Sequence, residues 1–311
     1  MNLVPGSPLP SLVPHLDGII AVPATPFTDD DKVDVASLRR YARNALAQGA
    51  VGFLAPAVAG EVETLTDDER VLIVRTLVEE AGPHARVIGG ATDSDPAARL
   101  RHAKRFLEMG CHGVLVYLPY ENNDEAIAAA VHELGRLHPP LLMIQDLDWS
   151  GGSLPVPLIA RLHREVPCFN WIKVETADRC HKISAILAAT GGTLRAGTAG
   201  PDMIELLDRG VHSFLITYTI PVYARIWAHH RAGRRDAAEA LYRRLLPCLV
   251  FMATHQKIQW RFTKALLHAE GIFTTTRVRR AVPEPDPTES RLITELAAYV
   301  RDLSAEVAAS P

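Results

Sequence analysis

The chain has 311 residues, of which 48% are apolar, and its 33 basic and 36 acidic side chains give a net charge of −3. This balance disfavours a basic nucleic-acid-binding protein, and no apolar run approaches the roughly 18 to 20 residues that cross a bilayer. The length suits one large domain, because α/β barrels of about 250 residues form a single domain. Only six of the 33 basic residues are lysines, namely Lys32, Lys104, Lys173, Lys182, Lys257 and Lys264.

The first residues and the cysteines bear on the compartment. Residues 1–16 contain several prolines and no lysine or arginine, so we expect no signal peptide. The cysteines show no C-x-x-C spacing and no accompanying histidine pattern, which disfavours a zinc knuckle or a thioredoxin motif. We therefore expect a reducing cytoplasm, no metal and no cofactor. The four residues concerned are Cys111, Cys168, Cys180 and Cys248.

Eight short apolar runs recur along the chain and predict β-strands. The runs are near-continuous rather than alternating, which is typical of parallel strands buried on both faces. With seven intervening helical stretches they predict a (β/α)8 barrel over residues 18–233, after an N-terminal segment 1–17. A doubly wound open sheet is the alternative, although the first strand-to-helix loop lacks the G-x-G-x-x-G pattern. The runs begin at Gly18, Val51, Arg86, Gly113, Leu141, Asn170, Thr193 and His212.

Helix signals stand between the predicted strands. Asp34, Thr66 and Asp95 occupy N-cap positions, and acidic residues follow Thr66 in the first turn. After residue 221 the alternation of strand and helix stops. Helical patterns then cover residues 226–233, 237–255, 258–270 and 290–309. The last three predict a C-terminal helical extension over 234–311, in which residues 281–290 form a proline-rich connector.

One lysine stands out by its position. Barrel active sites lie at the C-terminal ends of the strands. Five of the six lysines fall in predicted loops or on helix surfaces, where we expect solvated charges. Lys173 instead lies inside the sixth predicted strand, between Ile172 and Val174. Burial disfavours the ammonium form and favours the nucleophilic amine, which indicates a Schiff base with a carbonyl substrate. The alternative is a structural lysine paired with Glu175 or another buried acid.

Four motifs, in their order and spacing, resemble the dihydrodipicolinate synthase / N-acetylneuraminate lyase family of class I Schiff-base aldolases. They are PATPF (23–27), AGEVETLTDDER (59–70), LPYENN (118–123) and WIKVETAD (171–178). The resemblance covers residues 18 to about 270. It implies a (β/α)8 barrel, usually a homotetramer, that holds pyruvate or a related 2-oxo acid as an imine. Lys173 matches the lysine that forms this imine.

The resemblance also implies where the substrate binds. The family usually has a Gly-Thr-Thr-Gly-Glu segment that holds the carboxylate of the oxo acid, and here residues 57–61 read Ala-Val-Ala-Gly-Glu. Both hydroxyls are lost, but the backbone N–H groups of Ala59 and Gly60 remain, so we expect substrate contacts at Ala59, Gly60 and Glu61. Gly197 matches a glycine that lets the substrate approach the backbone, with ordinary loop geometry as the alternative. Leu215 completes the expected substrate-binding set.

The proton relay of the family is missing. Its usual tyrosine corresponds to Gln145, whose amide orients groups but is neither an acid nor a base near neutral pH. Glu121 replaces the second aromatic residue, and Ser150 replaces the arginine that anchors a second carboxylate, so we do not expect dihydrodipicolinate synthesis. A carboxylate or a phenol near a strand end is a candidate to replace the tyrosine as acid or base. The candidates are Asp146, Asp148, Glu121, Glu175 and Tyr117.

Two interpretations of the acidic pair after the fifth strand remain open. Asp146 and Asp148 either supply an acid or base, or cap the following turn; a divalent metal on them is weakly indicated, since no histidine or third carboxylate stands nearby. We expect Lys173, Gln145, Asp146 and Glu121 to be the catalytic set.

The leading functional hypothesis is a lyase that cleaves or forms a carbon–carbon bond beside an imine on Lys173. One alternative is dehydration of a 3-deoxy-2-oxo sugar acid through the same imine. Another is a catalytically silent homologue that binds a ligand or partner. The expected partner is a small 2-oxo acid, without nucleic acid or membrane, and the expected assembly is a homo-oligomer, either a tetramer or a dimer.

Overall fold

A computed structural model describes residues 16–118, 123–148 and 153–309, with only the backbone described at Asp148. Eight parallel strands form a closed barrel in which each strand pairs with the next and the last pairs with the first. The closed barrel confirms the predicted (β/α)8 fold and excludes the open sheet. The strands are β1 Gly18–Ala21, β2 Ala50–Ala55, β3 Arg86–Gly90, β4 Gly113–Tyr117, β5 Leu142–Asp148, β6 Phe169–Thr176, β7 Arg195–Thr198 and β8 Ser213–Ile216.

Helices alternate with the strands and then continue beyond the barrel. Three helices begin after the N-cap residues that the sequence predicts. Asp34 accepts the N–H of Ser37, Asp95 accepts two N–H groups, and Thr66 forms a capping box with Glu69. The helices are α1 Val35–Ala47, α2 Asp67–Ala81, α3 Pro96–Glu108, α4 Asp124–Gly135, α5 Val156–Glu165, α6 Arg179–Ala189, α7 Met203–Asp208, α8 Ile220–Arg231, α9 Arg235–Thr254, α10 Gln259–Ala269 and α11 Pro287–Ala309.

Three short 3₁₀ helices complete the described elements. Val58–Gly60 and Val62–Thr64 follow β2, and Gln256–Ile258 joins α9 to α10. The predicted C-terminal helices are present, while α8 begins at Ile220, six residues before the predicted start. Division of the chain at residue 233 stays a prediction. None of the described helices is both long and apolar enough to cross a membrane.

The alternation of side chains along each strand separates the barrel interior from the helical shell. Met143 and Trp171 belong to the cluster inside the barrel, and Ile144 and Ile172 belong to the larger cluster between strands and helices. Gln145 and Lys173 therefore point inward, one step nearer the C-terminal mouth than Met143 and Trp171. Glu175, two residues further along β6, lies on the same face as Lys173.

The structure corrects the expectation for the lysines. Lys32, Lys104 and Lys257 are exposed as expected, but Lys182 is 9% exposed and Lys264 is fully buried. The prediction was wrong for these two because each faces a buried carboxylate from a distant part of the chain: Asp146 for Lys182 and Glu61 for Lys264. A lysine on a helix is buried when tertiary contacts supply a partner for its charge.

Candidate active site

A cavity of about 360 Å³ opens at the C-terminal ends of the strands. It lies where barrel active sites lie, and helices α9 and α10 close one side of it. Its described charged lining consists of Lys173, Glu175 and Arg179. The other lining residues that matter here are Val58, Ala59, Gln145, Thr176, Gly200, Leu215, Tyr218 and Trp260.

Lys173, Glu175 and Gln145 form one hydrogen-bonded cluster in this cavity. Lys173 is 6% exposed, and its Nζ lies 2.8 Å from Oε2 of Glu175. Gln145, which is paired in register with Lys173, donates its Nε2–H to the same Oε2 at 2.6 Å. The amide thus holds the carboxylate of Glu175 beside the amine of Lys173 at the wall of the cavity.

Both interpretations of Lys173 meet in this arrangement. The lysine is paired with Glu175, as the structural alternative expects, and it also lines an open cavity, as a nucleophile requires. A carboxylate at hydrogen-bond distance can accept the proton that an ammonium must lose before it attacks a carbonyl. The pair is therefore compatible with imine chemistry, because its surroundings leave room for a substrate.

The 3₁₀ turn after β2 presents backbone donors to the cavity. Val58 and Ala59 line it, and among the described residues nothing accepts their N–H groups, which are those that a helical turn leaves unpaired at its start. Gly60 does not line the cavity; its N–H is donated to Ala57 O at 2.8 Å and its carbonyl accepts from Thr25 Oγ1 at 2.6 Å. Of the two residues at which we expected carboxylate donors, Ala59 therefore lines the cavity, beside Val58, and Gly60 does not.

Glu61 lies beneath this turn and does not face the cavity. It is fully buried in a left-handed conformation, with φ of 58°. Its Oε1 lies 2.5 Å from Nζ of Lys264, and its Oε2 accepts the backbone N–H groups of Arg279 and Arg280 at 2.8 and 2.7 Å. The structure thus places Glu61 in an anchor between the turn and the C-terminal segment, away from the substrate that we expected it to contact.

Asp146 also points away from the cavity. It is 3% exposed on the shell side of β5, where it pairs with Lys182 and accepts the N–H of Leu154 at 3.0 Å. This is the turn-capping role that the sequence left open, and it does not bring Asp146 to Lys173. Glu121 and Ser150 lie outside the described residues, as does the side chain of Asp148.

Gly197 and Leu215 shape the space below Lys173. Leu215 lines the cavity, and Gly197 is paired in register with Lys173. A Cβ at Gly197 would lie 2.4 Å from Ser213 Oγ, 2.8 Å from Leu215 Cδ1 and 3.2 Å from Trp171 Nε1. Any side chain there would displace its neighbours, so glycine is required for close packing.

Four lining residues were not among the predicted site residues. Thr176 and Arg179 lie three and six residues after Lys173, so the sequence already indicated their proximity to it. Tyr218 follows β8 and Trp260 lies in α10, and both meet the cavity only through tertiary contacts. Trp260 donates Nε1–H to Val58 O at 3.2 Å, and burial raises the pKa of Tyr218 well above its ordinary value.

The described residues contain no group of three histidine, cysteine, aspartate or glutamate side chains arranged to hold a metal ion. Asp146 is engaged by Lys182 and by the N–H of Leu154. The side chain of Asp148 lies outside the described residues, so a metal on this pair stays a prediction.

Comparisons with known proteins agree with this geometry. The sequence profile of the dihydrodipicolinate synthetase family matches residues 15–291. An L-2-keto-3-deoxyarabonate dehydratase from Azospirillum brasilense is 28% identical over 288 residues, 89% of this chain and 92% of that protein. A 4-hydroxy-tetrahydrodipicolinate synthase from Mycolicibacterium paratuberculosis is 37% identical over 206 residues, 65% of this chain and 67% of that one. The crystal structure of the dihydrodipicolinate synthase from Rhodopseudomonas palustris superposes with a TM-score of 0.85 at 20% identity, covering 92% of this chain and 98% of that chain.

Proposed function

The chain belongs to the dihydrodipicolinate synthetase family, whose members are lyases, and we propose that it removes water from a 3-deoxy-2-oxo sugar acid through an imine on Lys173. One observation carries this proposal. The carboxylate of Glu175 lies 2.8 Å from Nζ of Lys173 and 2.6 Å from Nε2 of Gln145. A carboxylate thus stands beside the amine in a site where the family's relay tyrosine is replaced by an amide.

Imine formation is the first step. Glu175 accepts a proton from the Lys173 ammonium, and the neutral amine adds to the C2 carbonyl of the substrate to give a carbinolamine. Glu175 returns its proton to the carbinolamine hydroxyl, which leaves as water, so the protonated imine forms and Glu175 is again a carboxylate. The carboxylate of the substrate accepts hydrogen bonds from the N–H groups of Val58 and Ala59, the donors of the 3₁₀ turn that line the cavity.

Elimination follows at the two next carbons. C3 is two bonds from the imine nitrogen, so an oxygen of Glu175 within hydrogen-bond distance of that nitrogen is also near C3–H. The carboxylate removes this proton, and the electron pair forms an enamine. The enamine then expels the C4 hydroxyl, which takes the proton from Glu175 and leaves as water. Hydrolysis of the unsaturated imine uses one water, frees Lys173 and releases the dehydrated 2-oxo acid.

Gln145 acts through Glu175 in this scheme. Because its amide neither gives nor takes a proton near neutral pH, it is a positioning residue that fixes the carboxylate. This chain matches 92% of the length of the dehydratase relative, which supports water loss over the carbon–carbon cleavage that the sequence analysis favours. Cleavage would use the same groups, with Glu175 taking the C4 hydroxyl proton and an aldehyde leaving.

Borohydride trapping tests the imine. The protein is incubated with pyruvate and sodium borohydride, digested and analysed by mass spectrometry. We expect a reduced adduct on the peptide that contains Lys173, and none in a Lys173→Ala variant. If neither pyruvate nor any other 2-oxo acid in a panel gives an adduct on Lys173, imine chemistry at this site is rejected.

Product analysis separates the two reactions. Incubation with a 3-deoxy-2-oxo sugar acid yields a dehydrated acid if water is lost, and pyruvate with an aldehyde if the C3–C4 bond is cleaved. NMR of the reaction mixture distinguishes these sets of products. Pyruvate as the main product would reject dehydration and restore the aldolase hypothesis.

The assembly and compartment remain part of the proposal. We expect a homo-oligomer, tetramer or dimer, in a reducing cytoplasm. The four cysteines form no disulfide in the structure, which is compatible with that compartment.

A further inference from the structure

Among the charged lining residues that the structure describes, Arg179 alone has no role in the reaction above. It begins α6, six residues after Lys173, and lines the same cavity. Its Nη2 pairs with the carboxylate of Asp202, which lies behind it outside the lining. Its Nη1 has one described contact, to Thr176 O at 3.5 Å, the outer limit of a hydrogen bond. The guanidinium carries five N–H groups, so donors remain for a ligand.

Gly200 makes room for this arginine. A Cβ on Gly200 would lie 2.2 Å from Nε and 2.8 Å from Cδ of Arg179. Real Cβ atoms do not approach that closely, so the arginine side chain lies flat against the bare backbone at Gly200. Gly200 itself lines the cavity. The guanidinium is therefore held at the cavity wall by Asp202 on one side and by the Gly200 backbone on the other.

Thr176 contributes its backbone at the same place. It lines the cavity, and its carbonyl oxygen is the acceptor for Nη1 of Arg179. Its side chain is 4% exposed and belongs to the face of β6 opposite Lys173, so its hydroxyl does not face the substrate.

The charges at this end define the substrate group. Of the described charged lining residues, Lys173 is balanced by Glu175 and Arg179 by Asp202. A second carboxylate on the substrate would therefore lose its water without gaining a net positive partner, which is unfavourable. An uncharged hydroxyl instead matches the remaining N–H donors of Arg179.

We propose that Arg179, held by Asp202 and Gly200, binds the hydroxylated end of the substrate and selects acids with one carboxylate over acids with a carboxylate at each end. This inference rests on the proposed dehydration, and it assigns specificity to residues outside the reacting cluster.

The test compares two substrates matched in length, a 3-deoxy-2-oxohexonate and a 3-deoxy-2-oxohexarate. We expect the wild type to prefer the hexonate in kcat/KM by at least about tenfold. Asp202→Asn leaves Arg179 with a net charge, so it should improve use of the hexarate and reduce this preference at least about tenfold. Arg179→Met should lower kcat/KM for the hexonate by roughly tenfold to a hundredfold, mainly through KM, because it removes charged hydrogen-bond donors.

Two further variants keep the test decisive. A Cβ at position 200 would lie 2.2 Å from Nε of Arg179, so Gly200→Ala should displace the guanidinium and raise KM for the hexonate. Arg161→Met is the matched control, since Arg161 pairs with Glu125 outside the cavity, and it should leave the preference unchanged. A wild type that prefers the hexarate, or a preference that Asp202→Asn and Gly200→Ala leave unaltered, overturns the subsite.

Trapping of pyruvate in the same preparations separates the two proposals, because pyruvate has no hydroxylated end. Failure of the wild type to trap pyruvate on Lys173 rejects the proposed function. Trapping on Lys173 together with unaltered substrate preferences rejects the subsite alone.

Discussion

Two buried lysine–carboxylate pairs stand at different depths of this barrel. Lys173 lies 2.8 Å from Glu175 at the wall of the cavity, and Lys264 lies 2.5 Å from Glu61 below the turn that follows β2. Lys264 also donates to Arg277 O at 2.6 Å, and its Nζ is 4.3 Å from the centre of the Phe27 ring. Protein atoms therefore surround the second pair, whereas the first pair borders open space.

The comparison shows that burial alone does not make a lysine a catalyst. Burial lowers the pKa of Lys264 to about 8, and it also lowers the pKa of Lys182, which pairs with Asp146 on the shell side of β5. A lowered pKa favours the amine form that attacks carbonyl groups. Lys264 nevertheless has no accessible surface, so no substrate reaches it. The cavity beside the amine is what distinguishes Lys173.

The largest effect is expected from a substitution of Glu175 in the Lys173–Glu175 pair, which borders the cavity. Glu175→Gln removes the base while keeping a side chain of the same shape, so we expect turnover to fall by roughly 10²- to 10⁴-fold. Exchange of the C3 hydrogens of pyruvate in D2O isolates the step, because it requires both the imine and a base. NMR should show exchange by the wild type and at least about a hundredfold slower exchange by the variant.

Trapping with borohydride is the control for this variant. Over a long incubation Glu175→Gln should still form the reducible imine on Lys173, because solvent takes the ammonium proton slowly in place of the carboxylate. Trapping then shows that the site is folded and that the loss lies in proton transfer. Exchange at the wild-type rate by Glu175→Gln would assign the base to another group.

Substitutions in the enclosed Lys264–Glu61 pair should change the stability of the protein rather than its catalytic activity. Lys264→Met leaves the carboxylate of Glu61 buried without its partner, so we expect the free energy of unfolding to fall by about 3–5 kcal/mol. Urea unfolding measures this change. The double variant Lys264→Met/Glu61→Gln removes both charges and should recover much of the loss. A stable single variant would mean that the backbone N–H groups of Arg279 and Arg280 suffice for Glu61.

The smallest effect is a pH dependence of stability. The pKa of Lys264 is about 8 in the folded chain and near 10.4 for an unperturbed lysine, so the unfolded chain binds more protons between these values. Stability should therefore rise with pH through this window, by about 1–2 kcal/mol between pH 8 and 9.5. Other groups titrate there too, so the measured quantity is the difference between wild type and Lys264→Met. An identical slope in both proteins would exclude Lys264 as the source.

The sequence predicted the fold well because its signals are local. Near-continuous apolar runs separated by capped helices are produced by residues close together in the chain, and Asp34, Thr66 and Asp95 cap helices where the pattern places them. The C-terminal helices were predicted for the same reason. The start of α8 was less well placed, because its first turn is apolar and continues the preceding strand pattern.

The site was predicted in part. The motif around Lys173 located the lysine and included Glu175 among the replacements for the tyrosine. The same approach assigned Asp146 to the catalytic set and Glu61 to the substrate-binding set, and the structure places both in ion pairs away from the cavity. Asp146 follows the inward-pointing Gln145 on β5, so the alternation of a strand already directs it to the shell, whereas the direction of Glu61 at a turn is not fixed by local pattern. Their partners, Lys182 and Lys264, were expected at the surface because the carboxylates that they meet are distant in the chain.

By itself the sequence determined that Lys173 and Glu175 share one face, because side chains two apart on a strand point the same way. It also determined which segments become strands and helices. Only the closed barrel decided that Gln145 lies in register beside Lys173, that Trp260 donates to Val58 across the cavity, and that Glu61 meets Lys264. Contacts between residues so far apart depend on how the strands close and how the last helices pack, which no local pattern encodes.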